Sequence, residues 1–271
     1  MKEESDNPDP AVHRALFRFY EELNFFLPEE KRKRDIEYFF RGHPSIKDAV
    51  EAQGVPHTEV EVILVNGRSI GFDYQLQDGD RVSVYPAFER FDVSPIIRLR
   101  PQPLRELKFI CDVHLGKLAT ILRLLGFDTL YSNTFNDEEI IRIAETERRI
   151  ILTCDRGILK NSRVTHGCCL QSRSALPQAE EVIRRFDLAK AAKPFSRCTV
   201  CNDLLEPVEK SEILLQLPPK VAAYYQTFRR CRGCRRIYWQ GHHYAVMLKR
   251  VQALISAAAQ EDSFPKESQN G

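Results

Sequence analysis

The chain of 271 residues contains no run of about 18 consecutive apolar residues, so no segment is expected to span a membrane. Its opening, MKEESDNPDP, is acidic and lacks an apolar core, which argues against a secretory leader and makes a cytoplasmic location the expectation. No internal repeat is visible, which argues against a repeat architecture. The composition is not extreme either. At 43% apolar and 29% charged residues it is that of an ordinary globular protein, long enough for two domains and a sizeable core. A strong net charge is also missing, but the total of +2 hides an asymmetry. Residues 1–95 carry 12 Lys/Arg against 19 Asp/Glu, a net of −7, and the remainder carries 28 against 19, a net of +9. Two modules with different partners would look like this, the basic one being able to meet a polyanion; solvated surfaces also vary this much.

Three modules are expected: 12–90, 104–190 and 195–250. A Pro-rich linker at 91–103 and polar tails at 1–11 and 251–271 complete the chain. In the first module, HRALFRFYEELNFFL alternates apolar and polar residues as a hairpin of two half-buried strands would. SIKDAVEAQG reads as a short helix, with Ser45 as N-cap, Asp48 at the third helical position and Gly54 as its stop. Asn66-Gly67 marks a hairpin, and a second turn at Asp78-Gly79 leads into a last strand. The order ββαβ…β, strands around one helix, is an α+β β-grasp pattern.

In the second module, ELKFIC, DTLYS and RIILTC read as strands, and HGCCLQS as a fourth. LGKLATILRLLG puts Leu115, Leu118, Leu122 and Leu125 on one helical face, with Lys117 and Arg123 off it. NDEEIIRIAETERR reads as a helix capped by Asn136, and LPQAEEVIRRF as another starting at a Pro. The βαβαβ spacing implies a parallel α/β sheet with right-handed crossovers.

In such a sheet, ligands sit just outside the carboxyl ends of the strands. Asp112 follows the first strand, Asp155 the third, and Asp137 opens the second helix, with Glu138 beside it. Three carboxylates at one rim repel one another and raise each other's pKa, unless a hard cation such as Mg²⁺ or Mn²⁺ sits among them. Each acid alone has a plain reading: Asp137 as an acidic helix start, Asp112 as a cap, Asp155 as a turn former. Together they suit metal-assisted phosphodiester hydrolysis. Lys117, Arg123, Arg156, Lys160 and Arg163 lie on or just after the rim elements and are candidates for phosphate contacts, or solvated surface residues.

Cys198-x2-Cys201 and Cys231-x2-Cys234 are two knuckles separated by 29 residues, a pattern suited to a structural, tetrahedral Zn²⁺. EILLQLPP, in the gap, has room for a strand pair, and NDLLEPV and RRIYW after each knuckle suit strands. A redox dithiol would need one such pair in a thioredoxin-like context, which is missing, and a cytosolic chain argues against disulfides. Cys111, Cys154, Cys168 and Cys169 lack this spacing; Cys111 and Cys154 end expected buried strands and read as small core residues, and Cys168 and Cys169 also read as strand. In RRCRGCRRIYWQGHH, Arg235 and Arg236 stand next to Tyr238 and Trp239, able to meet unpaired bases; the rings are equally suited to packing the module against its neighbour.

CDVHLGKLATILRLLGFDTLY, NDEEIIRIAETERRIILTCDRGIL and the Cys-rich tail together resemble the Mut-seven C-terminal RNase family over about residues 106–248. The resemblance implies a PIN-like nuclease fold with an appended zinc ribbon, a metal-dependent ribonuclease activity, and acidic site residues at Asp112, Asp137 and Asp155. One departure is Cys154, where the family more often carries Arg, which leaves Arg156 as the neighbouring cation. VILVNGRSIGFDYQLQDGDRVSVYPAF resembles the ubiquitin-like sulfur-carrier proteins, but no Gly-Gly tail follows, so a docking role is expected instead of carrier chemistry. The expected whole is a β-grasp domain ahead of a PIN-like parallel-sheet domain with a zinc ribbon. The function expected is cleavage of RNA, single-stranded by preference. A non-catalytic RNA-binding or adaptor protein, its ubiquitin-like domain docking a protein partner, is the alternative. A sulfur-transfer accessory protein is a third reading, against which the missing Gly-Gly argues.

Overall fold

The computed structural model describes residues 11–86 and 107–260; the expected linker at 91–103 and most of both expected tails lie outside the described residues. The chain divides into two compact units, Met1–Pro103 with Arg156–Gly167, and Leu104–Asp155 with Cys168–Gly271.

The first unit is built on a mixed five-stranded sheet, ordered β2-β1-β5-β3-β4. Its strands are β1 (Val12–Phe19), β2 (Ile36–Arg41), β3 (Val60–Val65), β4 (Arg68–Ile70) and β5 (Arg81–Pro86). β1 pairs with β5 in parallel and the other ladders are antiparallel. Asn66 and Gly67, at φ 50° and 80°, make the β3–β4 turn, which needs two left-handed residues. Helix α1 (Ile46–Ala52) starts as expected at Ser45, whose hydroxyl accepts the Asp48 N–H at 3.1 Å.

One expectation fails here. The partner of β1 is β2, and EELNFF forms a 3-10 turn, Glu21–Phe26, instead of a strand. Asn24 decides this. Its side-chain nitrogen donates to the carbonyls of Phe19 and Glu21 at 3.0 and 3.1 Å, and its oxygen accepts the Lys33 N–H at 2.7 Å. The side chain thus bonds backbone groups that strand pairing would otherwise use. The short helix α4 (Arg156–Leu159) also belongs to this unit.

The second unit holds a four-stranded sheet ordered β7-β6-β8-β9, from β6 (Lys108–Cys111), β7 (Asp128–Leu130), β8 (Ile150–Thr153) and β9 (Gly167–Cys169). β6 is parallel to both β7 and β8. Helices α2 (Gly116–Leu124) and α5 (Ala175–Arg185) share a core with Phe109, Cys111, Ile150 and Leu152. The intervening Ile110 and Ile151 are equally buried but outside that core, as strand alternation requires, and α3 (Asp137–Glu147) packs on β6 and β8. Pro177 lies in the first turn of α5, where its missing N–H costs no helical bond.

The cysteine module is an antiparallel sheet ordered β10-β11-β12: β10 (Leu205–Val208), β11 (Phe228–Cys231) and β12 (Ile237–Trp239). The strand pair expected in EILLQLPP is absent. α6 (Lys210–Ile213), a 3-10 turn at Leu214–Gln216 and α7 (Pro219–Tyr224) stand there. Ile213 and Leu217, four apart, are buried while Leu214 and Leu215 are exposed, which is helical spacing and not alternation. Helix α8 (His242–Gln260) then runs ten residues into the expected tail, because Leu254 joins the α2–α5 core. Among the described residues no helix is long and apolar enough to cross a membrane.

Candidate functional site

Parallel pairing sets the carboxyl ends of β6 and β8 side by side. Cys111 registers with Leu152, and the Asp112 N–H donates to the Leu152 carbonyl at 3.1 Å. The Asp112 side chain is 9% exposed and held at both oxygens. One accepts the His114 N–H at 2.8 Å and the other accepts the Thr153 hydroxyl. Thr153 Oγ1 in turn accepts the Asp155 N–H at 2.9 Å. A single buried hydroxyl therefore joins the backbone of one acid to the carboxylate of the other. Sequence reading missed Thr153; the signal was a hydroxyl standing between an apolar strand and an acid.

Asp137 is the first residue of α3 and exposed, after a capping box in which Asn136 accepts the Glu139 N–H at 2.9 Å and Glu139 accepts the Asn136 N–H at 3.0 Å. Asp112, Asp137 and Asp155 do not draw together tightly: among the described residues, the group of metal-binding side chains with all ligand atoms within 4.8 Å of one another is the four cysteines. A further acid was missed. Glu181, on α5, accepts the Gln171 N–H, and burial holds its carboxyl above the usual carboxylate range despite that bond and the charges of Arg185 and Arg184. Burial, then the charges of Asp112 and Glu181, push up the Cys154 thiol, so both acids bear on the residue before Asp155. Gln178 Nε2 lies 3.8 Å from the Cys154 sulfur, three residues from Glu181 on the same helix. An amide and an acid spaced three apart beside the apolar stripe of α5 were the available sign.

The cations separate into groups. Lys117 is exposed in the first turn of α2. Arg123, expected off the apolar face, is 4% exposed. Its Nε donates to the Thr129 carbonyl at 2.8 Å, and its Nη1 to those of Val200 at 2.9 Å and Thr199 at 3.3 Å. It ties the first cysteine knuckle to β7, and its donors are spent on carbonyls instead of phosphates. Arg156 and Lys160 are engaged within the first unit. Arg156 donates to the Phe26 carbonyl at 3.0 Å and lies 5.0 and 5.6 Å from the Phe26 and Phe25 ring centres, and Lys160 donates to the Glu51 carbonyl at 2.8 Å. Arg235 lies 3.8 Å from the Glu206 carboxylate, whereas Arg236 is exposed.

The four expected cysteines converge. Cys198 and Cys234 sulfurs are 3.6 Å apart, and those of Cys201 and Cys231 3.3 Å. Sulfurs about 2.3 Å from one ion at tetrahedral angles would stand about 3.8 Å apart, so the set fits a tetrahedral metal such as zinc. Burial would raise the Cys198 thiol, but hydrogen bonds from the Tyr238 hydroxyl, 3.0 Å away, and the Cys201 and Val200 amides bring it down to about 6. Burial and the neighbouring Cys201 push the Cys231 thiol up to about 12. A cation reverses that penalty, since it favours thiolates at all four positions. Cys111 is buried in the α2–α5 core as expected, together with Cys168, but Cys154, also expected to be a core residue, is exposed because β8 ends one residue earlier, at Thr153.

Residues 107–251 match the Mut7-C RNAse domain, and residues 12–92 match the Mut7-C ubiquitin domain. A 106-residue stretch is 36% identical to the protein named exonuclease mut-7 homolog of Homo sapiens, covering 37% of this chain and 12% of that one. No solved structure matches the chain. The first of these matches spans more than half of the 271 residues, and the chain belongs to the Mut7-C RNAse domain family, carrying a Mut7-C ubiquitin-like domain ahead of it.

Proposed function

We propose that this chain is a divalent-metal-dependent ribonuclease of PIN-like fold. In this reading Asp112, Asp137 and Asp155 serve the catalytic ion, Glu181 is a fourth acid, and a zinc-bound ribbon extends the RNA surface. The observation that carries it is the Thr153 hydroxyl, which links Asp112 and Asp155 at the adjoining ends of two parallel strands. Family membership and the relative named as an exonuclease support a nuclease reading.

Mg²⁺ or Mn²⁺ fits this donor set. Such ions take oxygen ligands and keep several waters, so one or two carboxylates suffice and the others need not close to direct contact. When bound, the ion supplies charge neutralisation at the phosphate and a more acidic water. The chain's own part is to hold the acids. Thr153 and the His114 amide fix both Asp112 oxygens, and Thr153 places the Asp155 backbone. Labelled single-stranded RNA incubated with and without Mn²⁺ or Mg²⁺ tests the reading. Cleavage should require the ion and disappear in Asp155→Asn, with RNA affinity and fold nearly intact; cleavage surviving that change in a clean preparation refutes it.

The looseness of the acidic set favours one second reading, a non-catalytic RNA-binding or adaptor protein in which the ubiquitin-like domain docks a protein partner. RNA binding without ion-dependent hydrolysis would be its signature.

A further inference from the structure

The second unit contains a groove of about 1090 Å³, bordered by α2, the start of α5, α7, α8 and the β11–β12 hairpin. Its lining includes no Asp or Glu but six Lys or Arg residues; Arg197 is paired with Asp128, and the other five are Lys117, Lys220, Arg229, Arg236 and Arg250. Among the described residues none of these five is paired with a carboxylate. On the same sheet, by contrast, Arg230, Arg232 and Arg235 all pair with Glu206. Five uncompensated cations around one depression repel one another and gain most from a polyanion.

The floor is apolar, through Ile121, Leu124, Met247 and Leu254. Aromatic rings stand on it in two states. Phe195 and Tyr244 are already engaged with each other, their ring centres 3.9 Å apart, and the Tyr238 hydroxyl is held by Cys198. Tyr225 and Trp239 line the groove too, half-buried where they pack on Val208, Ile213, Leu217 and Phe228, and beside them Tyr224 is 81% exposed. A tyrosine left that open has no packing reason to be aromatic, but it offers a face on which a base can lie.

From this juxtaposition we propose that the groove is a binding site for single-stranded RNA, with unpaired bases on Tyr224, Tyr225 and Trp239 and phosphates on the five cations. A duplex would present its phosphates but hide its base faces, and an acidic peptide would leave the rings unused. The placement also suits delivery to the acidic rim. Lys117 and Leu176 line the groove from the first turns of α2 and α5; the first of these helices starts just past Asp112, and the second contacts Cys154 through Gln178. The proposal rests on the reading of RNA as substrate, but it concerns binding and not cleavage.

The experiment is fluorescence anisotropy of labelled 12-nucleotide RNA with the full-length Asp155→Asn chain, so that turnover cannot enter the readout. Affinity should fall about tenfold in Tyr224→Ala, the loss of one stacking platform. It should fall at least as much in Arg236→Ala, with a shallower dependence on salt, by about 0.7 in log–log slope for each phosphate that is no longer neutralised. Both substitutions are of exposed residues, and unchanged melting curves would confirm intact folds. Lys190→Ala, an exposed cation outside the groove, should leave affinity within about twofold, the scatter expected of a lone surface charge. Wild-type affinity in both groove variants overturns the proposal, as does equal affinity for the double-stranded form or equally good competition by polyglutamate. A chain that binds as described but cleaves nothing leaves the groove standing and removes the nuclease reading. A chain that cleaves while its groove variants bind normally does the reverse.

Discussion

Arg123 and Arg236 are the same residue type with opposite fates. Arg123 spends its guanidinium on three carbonyls, the Thr129 one buried and those of Thr199 and Val200 partly so, and Arg123→Ala leaves these acceptors unpaired. Urea unfolding should register a loss of about 2–4 kcal/mol, the cost of orphaning hydrogen-bond partners in a well-packed site, with little change in RNA affinity. Thr153 gives a sharper test of the site. Thr153→Val keeps the shape but removes the hydroxyl that joins Asp112 to the Asp155 backbone; the ion-dependent cleavage proposed for this chain should then fall at least about tenfold, the scale on which contacts supporting metal ligands act. Asp128 predicts a pH effect. Burial would raise its carboxyl, but Arg149 at 2.6 Å, Asn202 at 2.9 Å and Arg197 at 3.4 Å outweigh burial and hold it below its ordinary 3.8. Its folded pKa is depressed, so its contribution is complete above the unfolded value and lost as pH falls through the folded one. The stability gap between the natural chain and Asp128→Asn should therefore be widest near neutral pH and close below about pH 4.

Among the elements, α2 shows how little separates a helix from its failure. It ends at Gly126, at φ +97°, where a Cβ would lie 2.3 Å from the Lys193 carbonyl oxygen and 2.7 Å from Ser196 Oγ. Gly126→Ala meets both a strained backbone and a backbone atom that cannot step aside, and should cost more than the roughly 1 kcal/mol of an ordinary glycine change. Asn136→Ala, which only removes a cap from α3, should cost about 1 kcal/mol by thermal melting. The helix α2 was legible because its leucines recur at helical spacing over three turns, and α3 because its cap and acidic first turn are local chemistry. The turn at Glu21–Phe26 and the helices α6 and α7 were not. Their alternation-like strings were overruled by an asparagine bonding backbone groups at a distance, and by which leucines the fold chose to bury.

On the scale of the molecule, the cysteine module is held from two sides, by its thiols and by two links to β7: Asn202, bonded to Asp128 and Thr129, and Arg123, which bridges Thr129 and Val200. The four cysteines could hold a metal, and chelating such an ion, or changing Cys201→Ser, should lower the melting temperature and speed hydrogen exchange in residues 198–239, while residues 12–86 keep their protection. Exchange that accelerates equally everywhere would show that the metal site stabilises the chain as one cooperative body. The module's other contribution is electrostatic. Its excess positive charge, present in the composition, is concentrated by β11, β12 and α7 around one groove, while neighbouring arginines are neutralised by Glu206.

Local sequence was enough to specify the parallel sheet, the helix on Leu115–Leu125, the Asn66-Gly67 turn and the meeting of the four cysteines. Each is written in short-range periodicity, turn chemistry or ligand spacing, which act over a few residues or a few bonds. That Asp112 and Asp155 share a sheet edge was legible too, since parallel strands joined by crossovers have all their carboxyl ends on one edge, whatever their order. Long-range packing settled the rest: which acids stand close, that Thr153 links two of them, that Glu181 comes near Cys154 from a distant helix, and which cations are spent inside. Those outcomes depend on contacts between residues tens of positions apart, and a side chain's charge and reach do not say which of its possible partners the fold will supply.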